Sequence, residues 1–418
     1  MDKKACTVTK PVIGLALLLS CIFQAACARG VDERADVRAA LERYRDEVDA
    51  LHPAPRGGAD PDHAFFADAL RLVLNTYVTP SDPHALVGPA IEGFRARSAV
   101  DPGASRRVLT EAAIDGMLAS LDAYSAFLDA EHVRDLREEI QGHLAAVPGE
   151  KPAARTGNAR KPSRFRPVSY RLEDDVAYIR IRQFDERTGP QVNDAVASMR
   201  RQSRGRLAGA VLDLRDNPGG LLEQGVKVAE PFLGAEEIVS TRGHGVGTRH
   251  YFADPSRDLM SGLPVAVLIN GRTASAAEIV AGALQDHHRA VLFGTRSFGK
   301  GSVQTVYWLP GGEAVRLTTA RYFRPSGASV DCVGIAPDVE VTPGPSAGAR
   351  LRNGDDGAPH PVPLPCSAGM APQPAQAWSM AALCPDISQT VPDRPLQCAI
   401  AAIRTKRLSA SVRARAAE

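Results

Sequence analysis

Lysine is scarce in this 418-residue chain: 8 lysines stand against 42 arginines. Aromatic residues make up only 5% of it, the formal net charge is +2, and removing residues 1–28 brings that charge to about zero by the same counting. Without a basic stripe or a run of like charge, nucleic-acid binding is excluded as a function class. No apolar run reaches the roughly 20 residues that a membrane-spanning helix needs. No C-x-x-C motif or nearby His pair offers a zinc site, so neither a metal nor an organic cofactor is expected. No internal repeat of solenoid period is evident.

The N-terminus does carry a pattern. Lys3, Lys4 and Lys10 precede an apolar stretch from Val12 to Ala26, and small residues follow at Ala26-Cys27-Ala28. This reads as a secretory signal cleaved after Ala28, with export to the periplasm or cell envelope as the expectation. Leu18-Leu19-Ser20-Cys21 also resembles a lipoprotein signal, in which Cys21 would be lipidated and attach the protein to the membrane; Ile22 and Phe23 at the start of the mature chain disfavour it. Outside the leader remain Cys332, Cys366, Cys384 and Cys398. An even number in an exported chain predicts up to two disulfides stapling the tail, with the pairing left open.

Residues 29–142 show apolar spacing near 3.6, as in Phe65, Leu70, Leu72, Val73 and Leu74 and again in Ala112, Ile114, Met117 and Leu118, and predict a helical region. Residues 143–167 turn to Pro, Ala, Gly, Lys and Arg and read as a flexible linker. From 168 to 342, strand patterns (Val176–Ile181, Ala208–Leu214, Val265–Ile269, Ala290–Phe293) alternate with helix patterns (Val192–Gln202, Leu221–Phe232, Ala274–Gln285). That alternation predicts an α/β core with a largely parallel sheet. A Pro-rich tail, 343–418, ends in an amphipathic helix near Gln397–Val412.

Ser275 stands at the start of a helix that follows a buried strand and the turn Asn270-Gly271-Arg272-Thr273. A helix start supplies unpaired N–H groups and a positive dipole end, as an oxyanion requires. As a lone serine it would be an ordinary helix cap. Lys300 decides otherwise, because between Arg166 and Val341 only Lys227 and Lys300 are lysine. A lysine retained among arginines points to a need for deprotonation: guanidinium stays charged, whereas a desolvated amine can fall from about 10.4 toward about 7 or 8 and act as a base. A helix running out from Ser275 at about 1.5 Å per residue and a strand returning at about 3.3 Å per residue bring Lys300 back to the helix start. The same arithmetic puts Asp286, His287 and His288 at the far end, too distant for a Ser-His-Asp triad. The run Gly294 to Lys300 matches the first seven positions of a phosphate-binding P-loop. Gly301 then stands where Ser or Thr should hold magnesium, and the β-branched run Val303–Tyr307 stands where a helix should open.

At these residues the chain resembles the carboxyl-terminal processing proteases, tail-specific serine peptidases of family S41. The matching segments are Val211-Leu212-Asp213-Leu214-Arg215-Asp216-Asn217-Pro218-Gly219-Gly220-Leu221-Leu222, Thr273 to Asp286, Phe298-Gly299-Lys300-Gly301-Ser302-Val303-Gln304 and Gly334 to Asp338, with Gly116 to Asp122 before the linker. The resemblance implies a ClpP/crotonase-like catalytic core with Ser275 as nucleophile, Lys300 as general base and Gln304 orienting the lysine amine. It implies an oxyanion hole from the N–H of Ala276 and of a glycine of the pair Gly219-Gly220, with Asp286 in a supporting role. Relatives usually carry a PDZ domain between helical region and core; here only the linker holds that place.

The reading is an exported serine endopeptidase acting on protein or peptide substrates, with a homodimer or an adaptor as partner by analogy. A catalytically silent peptide-binding or scaffold protein on the same fold is the alternative.

Overall fold

A computed structural model describes residues 35–53, 59–134, 136, 166–309, 311–342, 344, 383–384, 387–388 and 391–408. The leader, the linker up to residue 165 and most of the tail lie outside them. The chain divides into two compact units, Met1–Phe127 with Val315–Leu317, and Leu128–Ala314 with Thr318–Glu418.

The first unit is helical: α1 (35–51), α2 (Pro61–Thr76), α3 (Pro83–Val100) and α4 (Arg106–Ala119), followed by a short strand β1 (Ala126–Leu128). Proline at the first helical position and an aspartate before it start α2 and α3, Asp60 accepting from the amides of Asp62 and His63, and Asp82 from that of His84. The face of α2 that is buried carries Phe66, Ala69, Leu70 and Val73, so Leu72 and Leu74 of the expected stripe lie at its margins. Helices α3 and α4 meet at two glycines. A methyl at Gly93 would strike the carbonyl oxygen of Ala112, and one at Gly116 would lie 2.6 Å from that of Pro89.

The second unit holds the α/β core. Its larger sheet has the order β11-β8-β7-β4-β3-β2, from β2 (Val168–Glu173), β3 (Val176–Ile181), β4 (Gly209–Asp213), β7 (Val265–Ile269), β8 (Ala290–Gly294) and β11 (Val339–Glu340). All neighbours are parallel except β2 against β3. Strands β4, β7 and β8 are buried at every position, which is why they read as continuous apolar runs and not as alternation. The crossover helices α5 (Thr188–Gln202), α6 (Leu222–Ala229) and α7 (Ala276–Asp286) contribute Val192, Val196, Val228 and Val280 to the core on one face. The tail helix α8 (Arg394–Arg404) packs Cys398, Ala399, Ala402 and Ile403 on the other, against Val211, Ala266, Leu268 and Phe293. It begins earlier than the apolar pattern indicates because Asp393 caps it, its side chain accepting from the amide of Leu396. A second sheet joins β10 (Ala314–Phe323), β5 (Glu237–Gly243) and β6 (Gly247–Phe252), with β9 (Ser302–Trp308) also on β10. Cys384 is disulfide-bonded to Cys398, and Cys332 is disulfide-bonded as well.

A buried ion network fixes α8 to the sheet. Asp213, fully buried at the end of β4, accepts from Tyr178 Oη at 2.7 Å, Arg180 Nη1 at 2.9 Å and Arg215 Nε at 2.8 Å. Arg215 also grips Asp393 with both terminal nitrogens, at 2.6 and 3.0 Å. Burial pushes the Asp213 carboxyl up, but Arg215 first, then Arg180 and Tyr178, hold it at about 2. A carboxyl depressed in the fold adds stability above its unfolded value, about 3.9, and loses it as pH falls toward the folded value.

Two outcomes follow. Asp213→Asn should lower the unfolding free energy by about 1.5 to 3 kcal/mol at neutral pH, because it removes the buried charge that both guanidinium groups grip while leaving Arg215 its bonds to Asp393 and Arg180 its contact with Asp216. In urea titrations the gap from wild type should narrow as pH drops from about 4 toward 2; a gap flat across that window would show that another group holds the arginines. Gly116→Ala should cost about 1 to 3 kcal/mol, read as a lowered Tm, by forcing α3 and α4 apart.

Candidate active site

Because β4, β7 and β8 are parallel neighbours, the loops that follow them leave the same edge of the sheet, the usual place for ligands in such sheets. Register pairs Asp213 with Leu268 and Ile269 with Gly294, so the three strands end nearly level. Those loops carry Gly219 and Gly220, then Ser275, then Lys300. Thr273, fully buried, joins all three: its Oγ1 donates to Leu214 O at 2.9 Å, and its carbonyl accepts from Phe298 N at 2.9 Å. Ala274 N adds a bond to Asn217 O at 2.9 Å.

Ser275 precedes α7 with φ 54° and ψ −121°, a conformation that costs a non-glycine residue about 1 to 3 kcal/mol and persists only where its surroundings over-determine it. The surroundings here are close. At Gly219, with φ 99°, an added Cβ would lie 2.6 Å from Ser275 Cβ and 3.0 Å from Ala276 N. Gly220, with φ 138°, backs onto the carbonyl of Phe184. The amide of Gly219 donates to Asn217 Oδ1 at 2.8 Å, whereas those of Gly220 and Ala276 meet no acceptor among the described residues. Of the glycine pair, Gly220 is therefore the member whose N–H is available to a ligand.

Glu278, one turn into α7 and fully buried, is the residue that the sequence analysis missed. Its Oε2 accepts from Ser275 N and from Lys300 N, each at 2.9 Å, so the two amides are no farther apart than twice that distance. Its Oε1 accepts from Ser297 Oγ at 2.5 Å and from Gly299 N at 2.7 Å. All four partners are donors, and a carboxylate has acceptor positions for all four. Burial pushes this carboxyl above its ordinary value, while the Ser297 hydroxyl and the three amides pull it back down. Tyr322, on β10 and 2% exposed, completes the arrangement: its hydroxyl donates to Lys300 O and lies 3.2 Å from Ser275 O and 3.4 Å from Glu278 Oε2. The Ser275-x-x-Glu278 spacing, the signature of a capping box, was the available signal for Glu278.

The Lys300 loop is seated from the other side too. Gly299 O accepts from Cys332 N at 2.8 Å, and Gly301 N donates to Asp331 Oδ1 at 3.2 Å. After it the chain forms strand β9 and not the helix of a phosphate-binding loop. Gln304, on β9, donates through Nε2 to Ser302 Oγ at 2.8 Å and Thr318 Oγ1 at 3.4 Å. Asp286 stands at the opposite end of α7, accepting from Arg324 Nε at 3.2 Å and Ser326 Oγ at 2.8 Å; the helix separates it from Ser275. His287 lies beside it, its Nε2 2.6 Å from Glu237 O. No cluster of three metal-ligating side chains occurs among the described residues.

A hydroxyl on a strained helix start, a lysine brought to it by backbone and two open amides form an arrangement suited to acyl transfer. Residues 175–341 match the model of peptidase family S41. A carboxy-terminal-processing protease of Bartonella bacilliformis is 37% identical over 301 residues, covering 56% of this chain and 69% of that protein. A chloroplastic carboxyl-terminal-processing peptidase 1 of Arabidopsis thaliana is 38% identical over 184 residues, and there the match covers 42% of this chain and 37% of the relative. Among solved structures, a photosystem II D1 C-terminal processing protease superposes with a TM-score of 0.53 at 25% identity, covering 68% of this chain and 94% of its own. With its core matched by the family model and two thirds of a carboxy-terminal-processing protease covered at 37% identity, this chain belongs to the carboxyl-terminal-processing proteases of peptidase family S41.

Proposed function

We propose that this protein is an exported serine endopeptidase that hydrolyses peptide bonds of protein substrates with Ser275 as nucleophile and Lys300 as general base. The observation that carries the proposal is the shared carboxylate: one oxygen of Glu278 accepts the amides of both residues, which brings together two loops that the sequence separates. In the proposed cycle neutral Lys300 takes the Ser275 proton as the alkoxide forms on the substrate carbonyl. The N–H groups of Gly220 and Ala276 receive the tetrahedral oxyanion, the protonated lysine returns its proton to the leaving amine, and water releases the acyl group. Gln304 is proposed to orient the amine from β9, and Asp286 to support the helix from its far end. Export rests on the leader pattern at residues 1–28, and protein substrates rest on the family.

The amine must be uncharged to act, so the site has to disfavour ammonium by about 1.36 kcal/mol for each unit that its pKa drops. Lys300→Arg therefore serves as poor a base as Lys300→Ala, although it keeps the charge. With casein as substrate, Ser275→Ala, Lys300→Ala and Lys300→Arg should each lose turnover by at least about 1,000-fold, and a fluorophosphonate probe should label wild type at Ser275 only. Retained turnover in the Ser275 or Lys300 variants would remove the dyad. Gly219→Ala should lose activity as severely, since the added methyl meets Ser275 Cβ at 2.6 Å.

A further inference from the structure

We infer that Glu278 and Tyr322 act together as a positioning clamp that sets the distance between nucleophile and base by holding their backbones, an inference that rests on the dyad reading above. The amides of Ser275 and Lys300 converge on Glu278 Oε2. Their carbonyls converge on Tyr322 Oη, which donates to Lys300 O and stands 3.2 Å from Ser275 O. The peptide groups of the two residues thus meet at one acceptor on the amide side and at one hydroxyl on the carbonyl side, whose single proton goes to Lys300 O while Ser275 O stands within its reach, and the two groups are themselves 3.4 Å apart.

The parts of the clamp come from independent elements. Glu278 belongs to the helix that Ser275 opens, and Tyr322 belongs to β10, which is paired through Tyr322 and Thr241 to β5. Neither side chain serves packing volume alone, because a leucine or phenylalanine of similar size would leave the converging amides and carbonyls without these partners. What stabilises Glu278 is the set of four donors, two of which belong to the proposed nucleophile and base. A buried carboxylate so arranged resists any slip of one loop past the other, since a slip breaks a charge-assisted bond at a fully buried group.

Glu278→Gln keeps the shape but turns one oxygen into an NH2 group. Whichever way the amide lies, that group faces a backbone N–H, that of Ser275 or Lys300 on one side or of Gly299 on the other. Tyr322→Phe removes only the hydroxyl and is the variant expected to keep the fold. Because a shift of about 1 Å in a reacting pair costs about 100-fold in rate, kcat on a fluorogenic peptide derived from a casein cleavage site should fall about 100-fold in Glu278→Gln and about 10-fold in Tyr322→Phe, with KM nearly unchanged. The double variant should lose little more than Glu278→Gln alone, since both act on one distance. Asp338→Asn is the comparison: Asp338 is also a fully buried carboxylate, but it accepts from Leu292 N and Gln285 Nε2, within the scaffold. That variant should lose Tm and keep kcat per folded molecule. The clamp is overturned if Tyr322→Phe and folded Glu278→Gln turn over within about twofold of wild type, or if Asp338→Asn loses kcat to the same degree at equal KM. Ser275→Ala and Lys300→Ala measured alongside separate the two ideas: if they remain active the dyad fails and the clamp with it, whereas inactive dyad variants beside an active Glu278→Gln sink the clamp alone.

Discussion

The core of this molecule is organised around a charge that an apolar interior should reject. Taking a carboxylate out of water costs several kcal/mol even after the protein relaxes, and Glu278 is fully buried. Each charge-assisted hydrogen bond returns about 1.5 to 3 kcal/mol, so the group is tolerable only when most of its four donors are in place at once. They come from the helix start at Ser275, from Ser297 and from the loop at Gly299 and Lys300. The arrangement is therefore closed as a set, and its closure makes the loops after β7 and β8 a single structural object.

The sheet makes that closure cheap in entropy. Five parallel neighbours in register already place the loop origins side by side, and short loops between level strand ends have few alternative paths. The strained backbone of Ser275 is then held by Gly219 beneath it, Thr273 behind it and Glu278 beside it. On the opposite face α8 seals the sheet, and Arg215, two residues beyond the end of β4, links it to Asp213 and Asp393. The segment that leads toward the glycine pair is thus stiffened from the tail side by charge, just as the serine side is stiffened by the glutamate.

Much of this was legible in the chain. Val176–Ile181 and Val265–Ile269 form strands over the expected residues, because β-branched runs bounded by turn residues have few other uses. Lys300 stood out because lysine is so rare against arginine. Other features were not legible, for definite reasons. Glu278 reads as a capping glutamate on a solvent face, since glutamate is almost never fully buried, and only the third dimension reveals donors arriving from residues 297–300. Tyr322 reads as a strand aromatic filling the core, which it also does. The choice between Gly219 and Gly220 depends on where the Asn217 side chain turns, a local bond of the kind that asparagine makes to a backbone two residues on. Asp393 hides in a proline-rich stretch whose apolar pattern begins later than the helix does.

The clamp acts on backbone, and chemistry gives a reason why. A hydroxyl and an amine that must exchange a proton cannot also be the handles by which they are fixed, because every strong hydrogen bond to Oγ or Nζ competes with the transfer and shifts the pKa that the transfer requires. Fixing peptide groups instead sets the separation of the two side chains to within a rotamer while leaving their protons to the reaction. It also explains why the anchoring charge is negative and buried: it can accept two amides at one atom, which no neutral side chain does as strongly. Its charge is divided among four donors that already answer it.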